Sequence, residues 1–222
     1  MKNVLVVAPH PDDETLGCGG TLLRHRASGD SIHWLIVTDM KGLSNWTQEM
    51  ALQREKEIND VSHHYRFDSV TRLEFPTTRL DTVSLSDIIS KMKDVFIKIE
   101  PNIVYLPYPG DAHTDHHIVF QAAVACTKWF RHPYIQRILV YETVSETDFG
   151  IDPVKPGFRP NVFVNIEEFL DTKIAIMKLY ANEVAPFPFP RSEQVIRSLA
   201  LLRGAASGCQ AAEAFMLLKE IL

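Results

Sequence analysis

Cysteine is scarce in this chain of 222 residues. Cys18, Cys126 and Cys209 are odd in number and far apart, and no two form a CxxC pair. That excludes a disulfide framework and a thiolate zinc site, and a reduced, cytoplasmic setting is the simplest expectation. Long hydrophobic runs are missing as well: no stretch nears the roughly 18 apolar residues that a membrane span requires. Met1-Lys2-Asn3-Val4 leads straight into a strand-like run that Pro9 to Glu14 interrupts, so no secretory signal is expected. Positive charge is in deficit, with 23 Lys and Arg against 28 Asp and Glu and a formal net charge of -5. Nucleic acid and anionic membrane both need a basic face, and neither is expected as a partner. Internal repeats and low-complexity tracts are also absent. What remains is an ordinary globular composition, 45% hydrophobic and 23% charged, long enough to bury a core without staples.

The apolar runs alternate between two kinds. Val4 to Ala8, His33 to Thr38, Ser69 to Phe75, Asn102 to Leu106 and Arg137 to Tyr141 are short and rich in branched residues, and read as strands. Thr15 to Ala27, Met50 to Tyr65, Leu85 to Ile99 and Asp115 to Phe130 read as helices between them. In the third, Leu85, Ile88, Ile89, Met92, Val95, Phe96 and Ile99 keep the helical period. Strands alternating with helices imply βαβ units and a mostly parallel sheet. The expected fold is α/β, a Rossmann-like three-layer sandwich, with residues 1–222 forming one domain. After Thr143 the pattern weakens. Asn161 to Ile166 reads as an edge strand, and 167–181 and 193–205 as helices. Between those helices, Ala185 to Arg191 carries three prolines at alternate positions and reads as a stiff, extended connector.

Chemistry concentrates in two places. Ala8-Pro9-His10-Pro11-Asp12-Asp13-Glu14 follows the first strand, and Asp111-Ala112-His113-Thr114-Asp115-His116-His117 follows the fourth. In the common doubly wound order these strands are neighbours where strand order reverses, the place where open α/β sheets bind ligands. Three acids within five positions repel one another, and a cation relieves them. Imidazole and carboxylate without thiolate suit zinc, with manganese or iron as substitutes. A catalytic zinc keeps three protein ligands and leaves a position for water. His10, Asp13 and His116 make such a set, which leaves Asp12 free to take a proton from that water. His113 and His116 are three residues apart, on roughly one face of a helix start. On this reading His113 faces the substrate, and Asp115 holds its imidazole in one tautomer and favours the charged form.

The segment AHPDDE followed by GCGGTL, with HTDHH downstream, resembles the PIG-L or LmbE-like deacetylases, which include the N-acetylglucosaminyl deacetylases of glycolipid-anchor, mycothiol and bacillithiol synthesis. The resemblance implies a Rossmann-like fold over nearly the whole chain. It also implies zinc on His10, Asp13 and His116, with Asp12 as general base. By the same resemblance His113 protonates the leaving amine or stabilises the oxyanion, supported by Asp115. Arg54, in LQREKEI, resembles an arginine that binds sugar hydroxyls in the family. Arg203-Gly204-Ala205 through Ala212-Glu213-Ala214-Phe215 resembles its usual RG…AEAF close. Asp111 stands where some members carry a tyrosine that polarises the carbonyl, and an ionised aspartate cannot donate that hydrogen bond. Trp46 is a candidate to stack on a sugar face.

Two other readings compete. The same metal site serves hydrolysis of an ester or a non-sugar N-acyl amide equally well. A non-catalytic metal- or nucleotide-binding module is the other, but Gly17-Cys18-Gly19-Gly20 fails the GxGxxG pattern at Leu22. These glycines read instead as a place of close helix–sheet contact. The expected partner is a small amino-sugar conjugate, and the sequence leaves room for a homo-oligomer. Specificity is expected in the loops 41–47, 76–84, 143–160 and 185–191.

Overall fold

In the strand Asn3–Ala8 (β1) every residue from Val4 onward is fully buried. Alternate side chains leave a strand on opposite faces. Val4, Val6 and Ala8 join one hydrophobic core, and Leu5 and Val7 join another. A strand buried on both faces needs a helical layer on each side. The computed structural model, which describes residues 1–41, 46–151 and 157–222, has that arrangement. Residues 42–45 and 152–156, inside two of the loops expected to set specificity, lie outside the described residues.

The sheet continues with β2 (Ser31–Asp39), β3 (Ser69–Pro76), β4 (Ile103–Pro107), β5 (Arg137–Tyr141), β6 (Val162–Asn165) and β7 (Ala212–Glu220). Strand order is β3-β2-β1-β4-β5-β7-β6. β1 pairs in parallel with both β2 and β4, so the order reverses between β1 and β4 as expected. Helices α1 (Asp13–Ala27), α2 (Gln48–Tyr65), α5 (Leu170–Met177) and α6 (Glu193–Ser207) cover one face. Helices α3 (Leu85–Ile99) and α4 (Thr114–Ala125) cover the other. The result is a mixed α/β fold with a seven-stranded, mostly parallel central sheet. No described helix is long and apolar enough to cross a membrane.

Three expectations change. β7 is a strand that periodicity did not reveal. It runs antiparallel between β5 and β6, so β6 is the edge strand. Its alternation is masked because Glu213, a polar residue, is buried within it. The Glu213 carboxylate accepts the N–H groups of Gly20 (2.9 Å) and Thr21 (2.7 Å) and pairs with buried Lys173 at 2.7 Å. The fourth helix ends at Ala125 rather than Phe130, where the Thr127 hydroxyl turns back onto the Val124 carbonyl. Residues 167–181 hold a 3-10 turn at Glu167–Phe169 and the short α5.

The glycines of α1 do permit close contact. A Cβ on Gly17 would lie 2.2 Å from the Tyr141 ring of β5. The helix thus runs tight against the sheet, which brings its N-terminus to the ends of β1 and β4.

Candidate active site

The loop after β1 is anchored from the neighbouring strand. The Pro9 carbonyl accepts from the Thr38 amide (3.0 Å) and hydroxyl (2.8 Å). The loop then turns sharply through Asp12, whose φ of 134° is unusual for a residue with a side chain. Such a conformation persists only when its surroundings hold it. Here the Asp12 N–H donates to Glu14 Oε2 at 3.0 Å. Glu14 is fully buried. Its Oε1 accepts from the hydroxyls of Thr15 (2.6 Å) and Tyr180 (2.8 Å), and burial pushes its carboxyl up to about 7.

The second loop leaves β4 and enters α4 through His113, the helix N-cap. His113 Nδ1 accepts the Asp115 amide N–H at 3.2 Å. That leaves Nε2 as its protonated nitrogen in the neutral tautomer. Burial, together with the charges of His10 and His116, lowers the His113 pKa to about 4.

Asp13 joins the two loops. Its Oδ2 lies 3.2 Å from His10 Nδ1 and 3.3 Å from His116 Nε2. Ligands at zinc distances in a tetrahedron stand about 3.3 Å apart. His116 Nε2 is buried and has no hydrogen-bond partner among the described residues. An unpaired buried ring nitrogen is costly, and a cation shared with Asp13 and His10 removes that cost. The opposite nitrogens are also engaged: His10 Nε2 lies 3.1 Å from Asp115 Oδ2, and His116 Nδ1 lies 2.7 Å from Asp111 Oδ2. Metal-bound histidines are commonly oriented by such outer carboxylates.

The charge demand points the same way. Burial opposes protonation of His10 and His116, but the surrounding carboxylates outweigh it. His10 is raised to about 9 by Asp115 and Asp13, and His116 to about 10 by Asp13 and Asp111. The cluster therefore needs positive charge, and metal binding supplies it by replacing those protons. The donor set of two imidazoles and a carboxylate fits zinc.

The other expected residues fall as follows. The Asp115 carboxylate is directed at His10 and accepts from the Thr78 amide (2.7 Å) and the Leu80 amide (3.3 Å). It stands 4.0 Å from His113 Nδ1, so the hydrogen bond that fixes the His113 tautomer comes from its backbone N–H, and its charge, which favours the protonated imidazole, is outweighed by burial and by His10 and His116. Asp111, expected against the substrate, instead holds His116 and accepts from the Thr147 hydroxyl at 2.6 Å. A carboxylate facing a ligand histidine at this distance is occupied, so a substrate contact does not suit it. Arg54 lines the cavity, but its three nitrogens already face Glu57, the Pro11 carbonyl and Glu183. Trp46 lines the same cavity, of about 370 Å³, together with His10, Asp12, His113 and His116. Arg191, within the supposed connector, reaches the site and was not anticipated. Its Nη1 donates to Asp12 Oδ2 at 2.7 Å. The proline-rich stretch that delivers it is not extended as expected but turns, the Phe189 amide donating to the Pro186 carbonyl (3.0 Å) and the Ser192 amide to the Phe189 carbonyl (2.9 Å).

Residues 5–127, more than half the chain, match the profile of the PIG-L family, described as GlcNAc-PI de-N-acetylase. The chain belongs to the PIG-L family. Both chemistry-bearing loops lie inside the matched span, and Arg191 and β7 lie beyond it. The chain is 27% identical to diacetylchitobiose deacetylase of Thermococcus kodakarensis, over 96% of this chain and 82% of that protein. It is 30% identical to the uncharacterized deacetylase YaiS of Escherichia coli, over 82% of this chain and 91% of that one. Among solved structures, the conserved protein TT1542 of Thermus thermophilus superposes with a TM-score of 0.78 at 28% identity, covering 100% of this chain and 97% of that chain. The alignments with PIG-L relatives therefore extend well past the two motifs.

Proposed function

We propose that the protein is a zinc-dependent hydrolase that removes the acetyl group from the nitrogen of an N-acetylglucosamine-type sugar. The observation that carries this reading is the convergence of His10 and His116 on one oxygen of Asp13, with His116 Nε2 buried and otherwise unpaired. Membership of a de-N-acetylase family and the substrate named for the Thermococcus relative favour an acetylated amino sugar.

His10, Asp13 and His116 would hold the ion. When bound, zinc supplies Lewis-acid polarisation of a carbonyl and makes water more acidic. The rest falls to the chain. Asp12 sits beside the cluster in the same cavity and takes the proton of the attacking water as general base. His113, with Nδ1 accepting an amide N–H, offers Nε2–H to the carbonyl oxygen as negative charge develops there. Asp12 then returns its proton to the departing nitrogen. Trp46 offers an aromatic face for the sugar, and Arg54 forms the wall beside it.

The test is acetate release from N-acetylglucosamine and diacetylchitobiose, with a chelator and then zinc added back. Loss and recovery of turnover are expected. Turnover indifferent to the chelator would sink the metal-based reading. Turnover confined to acetyl esters or non-sugar amides would move the substrate to the alternative class.

A further inference from the structure

The general base in this reading has an unusual support. Asp12 occupies a backbone conformation that residues with side chains seldom adopt, so local preference does not aim its carboxylate. The contacts around it do. Arg191 Nη1 donates to Asp12 Oδ2 at 2.7 Å, across 179 residues of sequence. No hydrogen bond among the described residues reaches Asp12 Oδ1.

Arg191 is itself held from several sides. Nη1 also donates to Glu183 Oε2 at 2.8 Å, Nε to Ser145 Oγ at 2.8 Å, and Nη2 to Glu146 Oε1 at 3.4 Å. The other oxygen of Glu183 pairs with Arg54, whose Nη1 donates to the Pro11 carbonyl at 3.2 Å. One network therefore grips both the residue preceding Asp12 and the carboxylate of Asp12. A planar guanidinium is suited to this, because it holds several acceptors in fixed directions.

We propose that Arg191 is a positioning residue for Asp12. It fixes Oδ2, so that Oδ1 is the oxygen presented to the attacking water. This rests on the reading of Asp12 as general base. Among the described residues Arg191 donates no hydrogen bond to His10, Asp13 or His116 and reaches Asp13 only through its charge, so its loss takes no ligand away from the ion. Its loss lets the Asp12 carboxylate rotate, and a misplacement of about 1 Å near the reacting atoms can lower turnover on the order of 100-fold.

Arg191→Ala and Arg191→Lys, assayed as zinc-loaded protein on diacetylchitobiose, test this. Arg191→Ala is expected to lose about 100-fold in kcat while KM stays within a few-fold and bound zinc is unchanged. Arg191→Lys keeps charge and bulk, guards against misfolding, and should fall between Arg191→Ala and wild type. Added ethylguanidinium at non-denaturing concentration should restore part of the kcat of Arg191→Ala, a rescue that a purely structural role would not give. Arg191→Ala with kcat within twofold of wild type would overturn the inference, as would a loss confined to KM or no rescue by ethylguanidinium. A wild-type protein inert on every acetylated sugar would overturn the functional reading and this inference with it. An active wild type beside an equally active Arg191→Ala would overturn the inference alone.

Discussion

Asp111 Oδ2 stands 2.7 Å from His116 Nδ1, at the opposite edge of the imidazole from Asp13. His10 is flanked in the same way, by Asp13 at Nδ1 and Asp115 at Nε2. Each candidate ligand histidine is thus set between an inner carboxylate that would share a cation with it and an outer one that fixes the ring. The outer pair makes each imidazole a better donor and specifies which nitrogen faces inward.

Weakening either outer carboxylate should therefore loosen the ion. Asp111→Ala is expected to lower zinc affinity about 10–100-fold, measured by competition with a chromogenic chelator. Asp115→Ala should do the same, and should also disturb the turn at Thr78 and Leu80 that its oxygens hold. Unchanged zinc affinity in both variants would show that these carboxylates do not orient the ligands.

Asp12→Asn separates metal binding from proton transfer. The amide keeps the shape of the side chain but cannot take a proton. Zinc content, read by elemental analysis, should match wild type, while acetate release falls about 100- to 10,000-fold. Full turnover in this variant would remove Asp12 from its role.

Glu213 links β7 to the middle of α1. In Glu213→Ala, Lys173 keeps its contact with the Leu16 carbonyl but loses its buried counter-charge. Breaking a buried pair from one side costs about 3–5 kcal/mol, to be read from urea unfolding. Lys173→Met should cost less, because Glu213 keeps the N–H groups of Gly20 and Thr21. Equal losses in the two variants would contradict this asymmetry.

The thiols should divide by burial. Cys18 and Cys126 are buried and Cys209 is partly exposed. Burial raises the Cys126 thiol to about 11 and holds Cys18 well above its usual value. At pH 8 roughly a thousandth of Cys126 would be thiolate, and thiolate is the reactive form. Iodoacetamide should modify Cys209 first, and the other two only on unfolding. Mass spectrometry of native and unfolded protein reads this directly.

The clustering of His10, Asp13 and His116 was legible because these candidate ligands sit beside strand ends. Val4 to Ala8 and Asn102 to Leu106 are marked by continuous apolar runs, and the parallel order places their carboxyl ends together. His10, Asp13 and His116 follow from that placement and from the chemistry of their side chains. Which partner a side chain faces did not follow. Asp115 is two residues from His113, yet its carboxylate meets His10, 105 residues away. Asp111 and Arg191 were obscured for the same reason: spacing along the chain does not determine side-chain direction, and Arg191 meets Asp12 only through the tertiary fold. β7 was hidden differently, by a buried charge that interrupts the pattern on which strand recognition depends.

The position of β7 has a consequence for biosynthesis. β6 is made first, but among the described residues its partner in the sheet is β7, which follows it in the chain. Until the residues of β7 have left the ribosome, β6 lacks that partner and the edge of β5 that β7 covers lies open. An uncovered edge is a template for other chains. Translation that stalls or stops short of Ala212 would leave a nascent polypeptide already carrying His10, Asp13 and His116, yet exposed to self-association.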